Sequence, residues 1–455
     1  MGVVSEKRLD MIRGLAKALP QSSLRSLELA LGLTKDEALI QVRELISVEL
    51  EFRHVKEAVF APFLPMFQPR ADGLRGVTFA PWVIDRIWTA LERFEPELYK
   101  QSRYALRGLR TEDPTPVVFF RLVTAAGQLI RQCPEEILPA KASQEDGVVL
   151  AEFANYLDLH RISRHALAKL PSLMGRIDAE KAAAMRLMFG DACAIDVEGG
   201  YRLLELLFAN LEDGSQIVKF VATVSDRPND RFLAQSELAD FGTRILDHIE
   251  DNLKDLKLFM GNRHRQCADL GLASERVGQS LSQLQSFEHF IELAREGPWG
   301  KRVGEAHKLI AELVEAQLRG AERVIDDALP MKSERVYGRV KKETPRLDKP
   351  PSDEVVLRAR QTLKFIKQVR NTATAGGFAA LHSRTVQSIE GMLDSYFEEL
   401  LSMANGEEPF DADTLMQFFE MVTDMMEALL GEEKAHTARR RVASSDLLKP
   451  SKNVA

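Results

Sequence analysis

The 455-residue chain has few cysteines and no long apolar run. Cys133, Cys193 and Cys267 are far apart and show no C-x-x-C spacing, which disfavours a disulfide framework and a thiolate metal site. No run approaches the roughly 18 apolar residues that span a bilayer. The first twenty residues also lack the uninterrupted apolar core of a signal peptide. These features together predict a cytoplasmic protein with reduced thiols.

Signatures of catalysis are missing as well. The chain contains no G-x-S-x-G elbow and no glycine-rich phosphate loop followed by a lysine. The residues that a polar enzyme site between helices would use are His248, Asp251, His264 and Cys267. The apolar neighbours of Asp251 place it on the solvent face of a helix, which disfavours a metal site there. Because catalytic signatures are missing as well, we predict no metal, no cofactor and no catalytic residue. A non-enzymatic protein is therefore expected, with an enzyme as the alternative.

Apolar residues recur at three- and four-residue steps along nearly the whole chain, as in Leu39, Val42, Ile46 and Leu50. This spacing is typical of amphipathic helices. One short β-branched segment, residues 215–225, fits either a strand or a buried helical turn. The sequence predicts an all-α fold, either an antiparallel multi-helix bundle or an irregular helical superhelix, with a separate small C-terminal helical unit.

The clearest domain boundary is the proline-punctuated, polar and basic segment 331–351, which is typical of a linker. It separates a helical domain over residues 1–330 from an acidic three-helix unit over residues 352–433. A further break near residues 190–230 is left open, and residues 434–455 are predicted to form a basic disordered tail. Adjacent Gly376 and Gly377 favour a corner between two helices over one long helix, because glycine destabilises a helix interior.

Charge is segregated in the C-terminal part of the chain. Between Arg384 and Lys434 there is no lysine or arginine, whereas 13 acidic residues occur there. The flanking segments are basic: residues 331–370 carry 12 basic and 5 acidic residues, and residues 434–455 carry 6 and 1. The segment between Arg384 and Lys434 also contains two apolar stripes at helical spacing, so it predicts two amphipathic helices with acidic outer faces.

Such faces are typical either of a solvated helical unit or of a docking surface for a basic partner, since a one-signed surface steers oppositely charged molecules. We predict a cytoplasmic scaffold or adaptor that docks a basic protein, while the sequence does not determine the oligomeric state. A peripheral membrane or nucleic-acid binder that uses the basic linker and tail is a further alternative, which the acidic segment and the whole-chain charge of -7 disfavour. The residues predicted to line the docking face are Glu390, Asp394, Glu398, Glu399, Glu420, Asp424 and Glu427.

Overall fold

A computed structural model describes residues 6–107, 109, 113–261, 270–337, 340–406 and 411–444. Helices dominate these ranges, and their strands are limited to one antiparallel pair. The all-α prediction is confirmed. The chain forms two compact units, Met1–Asp226 and Arg227–Ala455. Their boundary falls within the interval 190–230, where the sequence analysis left a break open.

The first unit packs its helices around an aromatic core. Phe63 and Phe153 meet edge to face with 5.8 Å between ring centroids, and Phe60 meets Trp88 at 6.0 Å. The β-branched segment 215–225 is mostly helical: five of the eight side chains of its helix are buried, and no strand lies beside it in the described residues. The helices are α1 (Glu6–Ala18), α2 (Gln21–Leu31), α3 (Glu37–Phe60), α4 (Pro81–Phe94), α5 (Pro96–Arg107), α6 (Val117–Gln132), α7 (Gln144–Asp158), α8 (His160–Met174), α9 (Ala179–Ile195), α10 (Gly199–Asn210) and α11 (Ile217–Val224).

The second unit is built around one long helix, α15, which buries apolar residues along its whole length. Its elements are α12 (Asp230–Leu233), α13 (Ala239–Gly261), α14 (Leu270–Phe290), α15 (Pro298–Ala328), β1 (Met331–Tyr337), β2 (Val340–Pro345), α16 (Asp353–Gln368), α17 (Ala379–Ala404), α18 (Ala412–Leu430) and α19 (Glu432–Ala443).

The predicted separation of the acidic helices from the rest of the chain is wrong. Helix α16 packs on α14, α15 and α18, and α17 packs on α15 and α18. The buried stripe of α15, with Ile310, Val314, Leu318 and Ile325, extends well beyond the first turns of the helix. Because that stripe must be covered along its length, α16 and α17 belong to the same core as α13 and α14.

A β-hairpin stands where the sequence predicted a linker over residues 331–351. Strands β1 and β2 pair antiparallel, with Met331 opposite Pro345 and Lys332 opposite Thr344. The backbone amide of Arg346 donates to the Pro330 carbonyl at 2.8 Å and closes the base of the hairpin. Pro330 comes directly before β1, Pro345 ends β2, and Pro350 and Pro351 lie beyond it, so no proline removes a hydrogen bond from the ladder interior. Their positions, rather than their number, allow the polar segment to fold.

The two adjacent glycines form a corner, as the sequence analysis favoured. Helix α16 continues as a short 3-10 helix over Val369–Thr372 before the chain turns into α17. Gly377 has a φ of 76°, which residues with a Cβ rarely adopt. A Cβ on Gly376 would lie 2.1 Å from the ring of Phe378. Both positions therefore require glycine in this turn.

The predicted disorder of residues 434–455 is wrong for the first part of that range. Residues 432–443 form α19, and residues 445–455 lie outside the described part of the chain. Ala435, Ala438 and Val442 follow each other at helical spacing and are buried. Helix α19 packs on α18. The net positive charge of this segment does not prevent folding because acidic side chains lie opposite it.

Candidate protein-docking surface

Helices α17 and α18 present the predicted carboxylates on their outer faces. Glu390, Asp394 and Glu398 are spaced by four residues on α17, so they form a row along one side of that helix. Asp424 and Glu427 are three residues apart on α18, which packs against α17. We call these five residues the acidic surface. Most apolar residues between them, such as Leu393, Phe397 and Met426, are buried, as expected for amphipathic helices.

The α17 half of the acidic surface is paired with α19. The Lys434 Nζ lies 3.0 Å from a Glu390 carboxylate oxygen and 2.9 Å from an Asp394 carboxylate oxygen. The Arg441 guanidinium donates two hydrogen bonds to Glu398, one of them at 2.9 Å. Lys434 and Arg441 are seven residues apart, so they project from the same side of α19. The basic row of α19 thus matches the acidic row of α17 in spacing.

The α18 half is paired with two helices. The Arg439 guanidinium donates to Asp424 at 3.1 Å and to Glu427 at 2.6 Å. Arg360 of α16 also forms an ion pair with Asp424. The Lys367 Nζ lies 3.5 Å from the backbone carbonyl of Glu427. Cations from α16 and α19 therefore share the carboxylates of α18.

Ion pairing shifts the pKa values of these groups. The hydrogen bond from Arg441 lowers the pKa of Glu398 below its ordinary value of 4.5. Hydrogen bonds to Asp394 and then to Glu390 raise the pKa of Lys434 above its ordinary value of 10.5. The side chains of Lys434 and Glu398 are 41% and 56% exposed, so water and salt screen each attraction. Each pair contributes only modestly to the docking of α19.

The remaining two predicted residues lie outside these ion pairs with α19. Glu420 is exposed on α18, one helical turn before Asp424, and Glu399 is half-buried on α17. Met425 and Met426 are buried, so these methionines belong to the core rather than to an adaptable surface. The structure therefore brings five of the seven predicted residues together against one basic helix.

The proposed enzyme residues do not assemble into a site within the described residues. His248 forms a side-chain hydrogen bond with Asn252 at 2.9 Å, and Asp251 accepts one from Lys254 at 3.0 Å. His264 and Cys267 lie outside the described residues. The described ranges contain no group of three or more histidine, cysteine or acidic side chains that could hold a metal ion. No helix in those ranges is both long enough and apolar enough to cross a membrane.

Two buried cations of the first unit also bind groups of the protein itself. Arg202 is 5% exposed, and its Nε donates to Glu152 at 2.7 Å. The Lys219 Nζ donates to the backbone carbonyls of Leu173 at 2.7 Å and of Met174 at 3.1 Å, at the C-terminal end of α8. Burial lowers the pKa of Lys219. The contacts of Lys219 stabilise the helix packing of the unit, because they satisfy carbonyl groups that the end of α8 leaves without partners.

Sequence reasoning found the carboxylates but missed their partner helix. Two signals for α19 were present in the sequence. The buried residues Ala435, Ala438 and Val442 have helical spacing, and Lys434 and Arg441 stand seven residues apart. The apolar pattern is short and consists of small side chains, so it indicates a helix only weakly. The net positive charge of the segment therefore led to the prediction of a disordered tail.

Comparison with known proteins identifies no related family, because no family model matches the chain. No curated protein and no solved structure matches it either.

Proposed function

We propose that this protein is a non-enzymatic, cytoplasmic helical scaffold or adaptor that binds a basic segment of a partner protein through its acidic surface. The observation that carries the proposal is the docking of α19. A basic helix already lies on this surface, with Lys434, Arg439 and Arg441 each paired to carboxylates. The surface therefore has the spacing and the charge to accept lysine and arginine side chains from a helix.

The acidic surface also has the exposure that a docking site requires. The side chains of Glu398 and Glu427 are 56% and 45% exposed even with α19 in place. A one-signed surface raises the rate of encounter with a basic partner, and this effect weakens as salt increases. The 11 acidic residues between Arg384 and the start of α19 contribute to such a field. We therefore expect association that is fast, moderate in affinity and sensitive to salt.

The proposal is tested by capture of partner proteins with a charge-reversed variant, E398K/E427K. The matched control is E305K/E312K, which reverses two exposed glutamates on α15 in the same unit. The wild-type protein and the control should retain the same basic proteins from a cell extract at low salt and release them at about 0.5 M salt, where the Debye length falls well below 10 Å. The surface variant should retain none of them.

Retention of the same proteins by E398K/E427K would refute the role of the acidic surface. A wild-type protein that retains nothing above the level of the surface variant would refute the docking function itself. Circular dichroism of all three proteins checks that the substitutions leave the helices folded.

A further inference from the structure

Helix α19 occupies the surface that the proposed function assigns to a partner. We propose that α19 is an internal competitor for the acidic surface, and that the partner presents a basic amphipathic helix of the same kind. Such a helix carries lysine or arginine at the spacing of Lys434, Arg439 and Arg441 beside an edge of small apolar residues. This inference rests on the proposed function and adds its ligand class and its regulation.

The attachment of α19 is weak enough to be reversed. Its buried side chains are Ala435, Ala438 and Val442, all of them small. It has 12 residues, a length at which a helix is marginal without tertiary contacts. The Arg441 guanidinium carbon lies 5.5 Å from the centroid of the Phe397 ring, which adds one cation–π contact. Partly exposed ion pairs of Lys434 and Arg441 also hold it on α17.

A single glycine connects α19 to the helix before it. Helix α18 ends at Leu430 and α19 begins at Glu432, so Gly431 alone separates them. Gly431 has a φ of 100°, and no atom lies within 4 Å of the position that a Cβ would take. Glycine with open space around it tolerates large changes of backbone angle, which suits a hinge. Release of α19 thus requires rearrangement of few residues.

The acidic surface does not depend on α19 for its own fold. Helix α18 packs on α16 and α17 in addition to α19. Its buried face includes Phe418, Phe419 and Met426, which are larger than the buried residues of α19. Helix α18 therefore retains its main apolar contacts when α19 leaves. The carboxylates of α17 and α18 then become available in their present positions.

Competition follows from the charges that remain when α19 is released. In the described part of the chain, the ion pairs of Glu390, Asp394 and Glu398 are all made with α19. Asp424 keeps Arg360 as a partner. The α17 half would thus be left with three uncompensated carboxylates, and a basic helix in trans is expected to bind chiefly there. A docked α19 raises the apparent dissociation constant of the trans helix by a factor of one plus the ratio of closed to open protein.

The competition is tested with a fluorescent peptide of the sequence of residues 432–444 as the probe for a basic helix. Binding to the full-length chain is followed by fluorescence anisotropy at low salt. The variants R441E and K434E/R441E release α19 from α17, and R440E is the matched control. The exposed side chain of Arg440 makes no ion pair in the described residues. Because exposed ion pairs each shift an equilibrium by a few-fold, R441E should bind the probe about threefold more tightly than wild type, and the double variant about tenfold.

The control R440E should bind the probe as the wild type does. Adding E398K to the double variant should remove most of the gain in affinity, because it reverses the central charge of the α17 row. These results together would support α19 as the competitor and a basic helix as its trans equivalent.

Two outcomes overturn the inference in different ways. If wild type and K434E/R441E bind the probe equally well, the surface accepts a basic helix but α19 does not compete for it, and the proposed function survives. If no variant binds the probe, the ligand class is wrong, and the capture experiment with E398K/E427K decides the proposed function separately. A concentration-dependent dimer of the wild type that R441E abolishes would assign the surface to α19 of a second copy and also overturn the internal role.

Discussion

Reversing the charge of Arg439 is expected to weaken the docking of α19 on α18. The Arg439 guanidinium lies 3.1 Å from Asp424 and 2.6 Å from Glu427, and all three side chains are between 34% and 45% exposed. In the variant R439E, two attractions become two repulsions. The neighbouring substitution R440E has the same change of charge at an exposed position, but Arg440 has no ion pair in the described residues.

The size of the effect follows from the exposure of the pairs. Measured exposed ion pairs contribute about 0.2–1 kcal/mol each, so two pairs set a range of about 0.4–2 kcal/mol for their loss. Asp424 keeps its ion pair with Arg360, and the new glutamate can turn toward solvent, which places the expected loss near 1 kcal/mol. That energy corresponds to about a fivefold increase in the local opening equilibrium of α19.

Hydrogen exchange followed by mass spectrometry measures this opening in peptides that cover residues 432–444. R439E should exchange about five times faster than wild type in these peptides, with unchanged exchange in α17 and α18. R440E should exchange at the wild-type rate. Equal acceleration by R439E and R440E would show that net charge, rather than pairing with the acidic surface, governs α19. Wild-type exchange in both variants would show that the ion pairs of Arg439 contribute nothing to docking.

Three further predictions concern pH, salt and packing. The pKa of Glu398 is lowered below its ordinary value of 4.5 by pairing with Arg441. The stabilisation from this pair is therefore complete above pH 4.5 and is lost as the pH falls through the lowered pKa. Exchange in α19, corrected for the intrinsic effect of pH, should accelerate below pH 4.5. At neutral pH the same exchange should accelerate as ionic strength rises, and an effect of salt on all helices alike would contradict a local cause. In calorimetry, Gly391→Ala should stabilise the protein by about 0.5–1 kcal/mol, because no atom lies within 4 Å of the new Cβ in α17. Gly242→Ala should destabilise the protein by about 1–2 kcal/mol. The Cβ at position 242 would lie 2.5 Å from the Trp299 ring, so stabilisation by both alanines would refute this packing.

The positions of the surface carboxylates were predictable because they depend on neighbours along one helix. Glu390, Asp394 and Glu398 lie four residues apart, so they fall on one side of any regular helix through that segment. The corner at Gly377 was predictable for a similar local reason, since glycine adopts a φ of 76° at no steric cost. Local spacing and backbone preference carry this information without any knowledge of tertiary contacts.

The partner of the acidic surface depended on contacts between distant residues. Lys434 pairs with Glu390 across 44 residues of sequence, and Arg441 pairs with Glu398 across 43. The sequence of the basic segment by itself is as compatible with a solvated tail as with a docked helix, because its few small apolar residues bury little surface. Only its placement opposite the acidic rows makes the helical form favourable.

The amino-acid sequence by itself determined the helical fold class, the amphipathic character of α17 and α18 and the location of the acidic residues. The tertiary structure decided that α16 and α17 share a core with α15, that β1 and β2 pair as antiparallel strands and that α19 covers the carboxylates. The physical reason is the range of the interactions: helical periodicity is set by residues three and four positions apart, whereas burial and charge pairing depend on which distant segments meet.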